Sequence, residues 1–122
     1  MSQKRILLIE DEEDMAVMVG IRLEAAGYYV CMVKNGKDGF EAAKKDLPDL
    51  ILLDITLPVM NGYEICSALK GDDKYRKMPI IILTARAQKE DIDRGFACGA
   101  DAYIVKPFEP EILLSKIQEL TG

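Results

Sequence analysis

Residues 6–14 read Ile6-Leu7-Leu8-Ile9-Glu10-Asp11-Glu12-Glu13-Asp14, four apolar residues running directly into five carboxylates. An unbroken apolar run this short, opened by Arg5, predicts a strand buried on both faces. The acids stand at its carboxyl end. Like charges so close cost free energy unless a cation, a helix N-terminus or water absorbs the repulsion.

Working outward, strand-like runs recur at Arg5–Ile9, Tyr29–Val33, Leu50–Leu53, Pro79–Leu83 and Ala102–Val105. Helical patterns separate them. Met15, Met18, Val19 and Arg22–Leu23 follow a 3.6-residue period that Gly27 stops. Gly36–Lys45, Gly62–Leu69 and Lys89–Cys98 follow, the last ended by Gly99. The final helix runs from Pro110, which suits a first helical position, to Leu120. Lys34-Asn35-Gly36 reads as an ordinary turn. Five strand–helix pairs in strict alternation predict an α/β fold, a parallel sheet with helices on both faces.

At 122 residues the chain reads as a single domain spanning 1–122, with no output domain. No apolar run approaches the roughly 20 residues that span a bilayer, and no signal peptide is evident, so a cytoplasmic location is expected. The net charge is −5. Residues 10–14 supply 5 of 21 acids, leaving 16 acids against 16 bases. Acidity is thus one local feature, and no basic patch points to nucleic acid or an anionic membrane. Cys31, Cys66 and Cys98 are an odd count without a C-x-x-C spacing, which fits free thiols. The chain contains no histidine, so any phosphohistidine must come from a partner.

In open parallel sheets, ligands bind beyond the carboxyl ends of the strands. The residues standing there are Glu10 and Asp11, Asp54, Thr84 and Lys106. Three converging carboxylates call for a hard cation, and all-oxygen ligation without His or Cys selects magnesium, with manganese or calcium as substitutes. A lysine opposite them supplies a point charge for an anion, and Thr84 a hydrogen bond. Together they describe phosphoryl transfer, where positioning and charge neutralisation do most of the catalysis. Taken singly, Asp54 reads as a turn or cap aspartate, Thr84 as a strand-end hydroxyl, Lys106 as a solvated charge and Tyr103 as a core aromatic. Their shared place at one sheet edge separates them from that reading. Glu12, Glu13 and Asp14 fit the start of the first helix, where acids complement the dipole.

The motifs I-L-L-I-E-D-E, L-I-L-L-D-I-T-L-P-V-M-N-G, I-I-I-L-T-A and G-A-D-A-Y-I-V-K-P-F, in that order, resemble the receiver domain of bacterial two-component response regulators. The resemblance covers essentially the whole chain. It implies a flavodoxin-like (βα)5 doubly wound sheet of order 2-1-3-4-5. It also implies that Asp54 accepts a phosphoryl group. Asp11, Asp54 and the Thr56 carbonyl would ligate Mg²⁺, with Glu10 acting through a water. Lys106 would pair with the phosphoryl group, and Thr84 and Tyr103 would form the switch. Thr56 and Arg86 would tune hydrolysis, Lys106–Pro107 would be cis, and Pro58 and Gly62 would shape the loop after the acceptor. The implied partners are a sensor histidine kinase or histidine phosphotransfer protein, docked near Met15–Leu23, and a downstream output. The implied assembly is a monomer or a phosphorylation-dependent dimer. No activity on an external substrate is expected. Two alternatives are an aspartyl-phosphate phosphatase or phosphotransferase, and a pseudo-receiver that only binds.

Overall fold

A computed structural model describes residues 3–122; Met1 and Ser2 of the 1–122 domain lie outside the described residues. The elements alternate as β1 (Arg5–Ile9), α1 (Glu13–Ala25), β2 (Tyr29–Val33), α2 (Gly36–Asp46), β3 (Leu50–Leu53), α3 (Gly62–Lys70), β4 (Ile80–Thr84), α4 (Lys89–Ala97), β5 (Ala102–Val105) and α5 (Pro110–Thr121). All pairings are parallel, in the order β2-β1-β3-β4-β5. The (βα)5 doubly wound architecture and its strand order are as expected from the sequence.

Two departures are local. The fourth strand is Ile80–Thr84 rather than Pro79–Leu83, because proline lacks the N–H a ladder requires. Thr84 is therefore the last residue of β4, not the first beyond it. Asn35 is no ordinary turn residue: its side chain accepts from the Asp38 N–H and caps α2.

Strand alternation divides the core. Leu7, Ile9, Ile51, Leu53, Ile80 and Ile82 pack toward α2 and α3. Ile6, Leu8, Leu50, Leu52, Ile81 and Leu83 pack toward α1 and α5. The three central strands are buried on both sides, so their sequences are apolar without alternation. Each such Leu or Ile contributes about 1.5–3 kcal/mol of burial. This rigid centre fixes where the chain emerges at the carboxyl edge. Glu12 forms the N-cap of α1 without a side-chain cap bond, and Glu13 and Asp14 lie in its first turn, where acids favour the helix dipole. Gly27 and Gly99 follow α1 and α4 at φ +96° and +99°, backbone that L side chains avoid. No helix among the described residues is long and apolar enough to cross a membrane.

Candidate functional site at the carboxyl edge of the sheet

Glu10, Asp54 and Thr84 are the buried polar residues of the described chain, and all three stand at this edge. Backbone bonds set their positions. The Glu10 N–H donates to the Val33 carbonyl at 3.0 Å, the Asp54 N–H to Ile9 at 3.1 Å, and the Lys106 N–H to Thr84 at 2.8 Å. Each residue is thereby locked to the neighbouring strand's end.

One carboxylate oxygen from each of Glu10, Asp11 and Asp54 lies within 4.8 Å of the other two. Lys106 Nζ bridges two of them, bonding Glu10 Oε1 and, at 3.2 Å, Asp54 Oδ2. Asp54 Oδ1 accepts from the Thr56 N–H at 3.1 Å and from its hydroxyl at 3.2 Å. Glu10 Oε2 is buried with no hydrogen-bond partner among the described residues. A buried, unpaired carboxylate oxygen is costly, and one beside two further carboxylates marks a place where a cation or a proton is required.

The electrostatics agree. Burial, only partly opposed by Lys106 and reinforced by Asp54, pushes the Glu10 carboxyl up to about 7. Burial acts in the same sense on Asp54, but the Glu10 hydrogen bond, Lys106 and Thr56 outweigh it and hold Asp54 below the usual range. Lys106 loses by burial and gains more from its two carboxylates, so its ammonium is held above its ordinary value. The edge thus keeps Asp54 ionised and Lys106 charged.

The loop after Asp54 depends on close approaches. A Cβ at Gly62 would collide with the Asp54 carbonyl oxygen and stand 2.8 Å from Ile55 Cα, so only glycine lets α3 begin there. Asn61 caps α3 in a reciprocal box with Glu64. Two residues before Asn61, Val59 sits at φ +72°, a left-handed backbone that is strained for a β-branched residue. The Lys106–Pro107 peptide is cis.

On the far side of Thr84, its hydroxyl oxygen accepts weakly from the Arg86 N–H at 3.4 Å. Tyr103, half-buried, donates its hydroxyl to the Arg86 carbonyl at 2.8 Å. Gly95 of α4 lets the ring lie close: a Cβ there would meet Tyr103 Cδ2 at 2.8 Å. The Arg86 guanidinium pairs with Asp91 at 3.0 Å, and Tyr63 donates to the Asp91 carbonyl at 2.9 Å. Asp91, Tyr63 and Gly95 were not visible as site residues in the sequence. Tyr63 meets a backbone carbonyl, Asp91 a charge five residues away and Gly95 a ring on another strand, and none of these contacts leaves a periodic signature. Thr56 was readable only through the family motif.

Every strand-end residue singled out from the sequence therefore reaches this edge. Glu10, Asp11, Asp54, Thr56 and Lys106 form one cluster, and Thr84, Arg86 and Tyr103 a chain leading away from it.

Residues 6–118 match the family model of the response regulator receiver domain. The chain is 40% identical over 116 residues to the DNA-binding dual master transcriptional regulator RpaA of Synechocystis, covering 95% of this chain and 48% of that protein. It spans about half the length of the curated relatives it matches. Its fold is similar to the chemotaxis response regulator CheY4 of Vibrio cholerae, with a TM-score of 0.89 and 34% identity over 98% of this chain and 99% of the other. It is also similar to the receiver domain of the sensor histidine kinase PA1611 of Pseudomonas aeruginosa, solved with magnesium coordinated in the active-site cleft. There the TM-score is 0.91 and the identity 31%, covering 99% of each chain.

Proposed function

The chain belongs to the response regulator receiver domain family, a module of two-component signalling, and from that premise we propose that Asp54 accepts a phosphoryl group in a magnesium-dependent reaction. The observation that carries this reading is the Lys106 bridge between Glu10 and Asp54, beside a buried Glu10 oxygen that nothing among the described residues satisfies.

The donor set fits Mg²⁺: three carboxylates in reach of each other, no imidazole or thiolate, and an orphaned oxygen for a metal-bound water. Asp11, Asp54 and the Thr56 carbonyl would hold the ion, Glu10 acting through water. When bound, it supplies positive charge for the transferring phosphoryl oxygens.

The chain's own groups do the rest. An Asp54 carboxylate oxygen attacks the phosphorus of a phosphohistidine, the P–N bond breaks, and the imidazole leaves on the partner. Lys106 already sits 3.2 Å from Asp54 as an ammonium, so its charge is preorganised for the phosphoryl group. The Thr84 hydroxyl oxygen accepts a long bond from Arg86, and its hydroxyl faces Asp54 closely enough to favour the carboxylate, so its proton is placed to donate to a phosphoryl oxygen. Moving Thr84 shifts the Arg86 backbone, and with it the acceptor of the Tyr103 hydroxyl. Two packings of Tyr103 and α4 are then biased by a single phosphoryl group. Water later hydrolyses the acyl phosphate, at a rate tuned by the exposed Thr56 and Arg86. The protein thereby acts on itself and turns over no external substrate.

The donor is a sensor histidine kinase or phosphotransfer protein, docking near Met15–Leu23, or a small acyl phosphate. The setting is cytoplasmic and the output lies in a further domain or protein. Acetyl phosphate with magnesium should add one phosphoryl mass, labile to hydroxylamine, and Asp54→Asn should abolish it. Unchanged labelling of that variant would overturn the assignment.

A further inference from the structure

We propose that β2 is a self-pairing edge, through which two copies of this chain join their sheets antiparallel about a two-fold axis at Cys31. The surface lies at the opposite side of the sheet from Tyr103 and makes no use of phosphorylation.

β2 ends the sheet, and its sequence Tyr29-Val30-Cys31-Met32-Val33 carries no charge, proline or glycine. Natural edges are ordinarily blunted by charge, proline or a bulge. Tyr29, Cys31 and Met32 are exposed on it. Helix α1 extends the apolar surface. Its Gly20 lies 3.4 Å from Met32 Sδ, measured from a Cβ position, and Glu13 pairs with Lys34 at 3.6 Å, which fixes the side of α1 turned to β2. Exposed Val17 and Ile21 share that side, as does Glu24.

The hydrogen-bond phase selects the partner. Tyr29 donates inward to Lys4, and Val33 accepts inward from Glu10. By the period of two, Tyr29, Cys31 and Val33 spend their backbone groups on β1, while Val30 and Met32 turn theirs to the open side. A two-fold axis at Cys31 places Val30 of one copy opposite Met32 of the other. Those two residues exchange both N–H···O bonds, and the symmetric pair does the same. Cys31 then faces its own copy at a non-hydrogen-bonded position, where Cα atoms sit about 4.5 Å apart.

Charge fits the same arrangement. Because the strand is neutral, self-pairing opposes no like charges. Lys34, held within its own chain only by the long, exposed contact to Glu13 at 3.6 Å, lies beyond one end of β2 and exchanges that contact for the partner's Tyr28 end, where Glu24 stands without an ionic partner among the described residues. Two Lys34–Glu24 pairs result, related by the axis. Five residues and two α1 side chains fall short of the roughly 1,200–2,000 Å² of a stable interface, so the pair is weak and concentration-dependent.

Sedimentation equilibrium from micromolar to millimolar protein tests this. The wild type should pass from the mass of one chain to that of two. Cys31→Lys, an exposed change that puts two ammonium groups on the axis, should remain a monomer. Met32→Pro, which removes an outward N–H and leaves the β1 ladder intact, should do likewise. In a Cys98→Ser background, diamide should oxidise the two Cys31 thiols to a disulfide dimer, taking up their two electrons and two protons. Cys31→Ser should give none. Wild type that stays monomeric at millimolar concentration overturns the proposal, as does a dimer that survives Cys31→Lys. Labelling of Asp54 by acetyl phosphate, which needs no docking on α1, should be the same in Cys31→Lys and wild type, so loss of dimer is read independently of the acceptor chemistry.

Discussion

The Tyr103 hydroxyl donates to the Arg86 carbonyl at 2.8 Å, and the Arg86 N–H in turn points at the Thr84 hydroxyl oxygen at 3.4 Å. A half-buried ring on β5 is thereby tied through one residue to the strand end beside Asp54. Thr84→Ala should still accept phosphate, more slowly, because Asp54 and Lys106 carry the transfer. It should fail to relay the change. With beryllofluoride as the phosphoryl mimic, wild type should show NMR shifts in α4 and at Tyr103, and Thr84→Ala only near Asp54. Equal shifts in α4 for both proteins would break the coupling.

Gly95 sets the ring's position. A methyl added there would stand 2.8 Å from Tyr103 Cδ2 and 2.9 Å from Ile82 Cδ1. Ile82 is packed in a fully buried strand whereas the ring is only half-buried, so the ring is the easier group to displace. Gly95→Ala is expected to displace Tyr103 and cost about 1–3 kcal/mol by overpacking, despite alanine's better helix propensity. A crystal structure of the variant with the Tyr103–Arg86 bond intact would refute this.

The loop after Asp54 stores a different strain. Val59 is 82% exposed at φ +72°, so it loses no burial on truncation. Left-handed backbone costs an L residue about 1–2 kcal/mol, and glycine returns up to about 1 kcal/mol through the unfolded chain. Val59→Gly should therefore be neutral or stabilising by up to about 1.5 kcal/mol in urea denaturation. Val59→Pro, whose ring demands negative φ, should destabilise markedly.

These three relationships differ in how far the sequence foretold them. Leu50–Leu53 followed by Asp54 was readable because a doubly buried strand needs an apolar run, and parallel sheets open their sites at the carboxyl end. The same logic placed Glu10, Thr84 and Lys106. Tyr103 entered only through the family motif, since its partner is a backbone carbonyl that any residue at 86 would offer. Val59 defied reading for a stronger reason: β-branched residues disfavour the conformation it adopts, so local propensity pointed away from it. Asn35 read as a turn because Asn-Gly serves both turns and helix starts, and only the Asp38 N–H on its side chain decides between them.

The Glu10 carboxyl makes the metal-free protein pH-sensitive. Its value rises from the ordinary 4.5 to about 7, chiefly through burial. The folded state therefore binds more protons than the unfolded state between those values, and stability falls as pH rises through them. The contribution is full below about 4.5 and gone above about 7, at most about 3 kcal/mol. Asp54, shifted downward, acts only as pH falls below its ordinary 3.8 and leaves this window untouched. In EDTA, urea denaturation should show wild type weaker at pH 8 than at pH 5, and Glu10→Gln should flatten the difference. A wild-type profile that rises across the window would contradict the burial argument.

The five acids of residues 10–14 should separate by function. Asp11 offers a carboxylate within 4.8 Å of those of Glu10 and Asp54, whereas Glu12, Glu13 and Asp14 belong to the start of α1. Asp11→Ala should weaken Mg²⁺ binding strongly, and Glu10→Gln moderately, since one would ligate directly and the other through water. Both changes remove a repelling carboxylate, so either variant should equal or exceed wild-type stability in EDTA. Glu12→Gln and Glu13→Gln should leave metal affinity nearly unchanged. Each should cost about 0.3–1 kcal/mol by weakening the favourable charge at the helix N-terminus. The chain has no tryptophan, so calorimetric titration or NMR should read the affinities. The split decides the matter: equal losses of Mg²⁺ affinity at positions 10 to 13 would mean a diffuse acidic patch, and the division between metal site and helix terminus would fail.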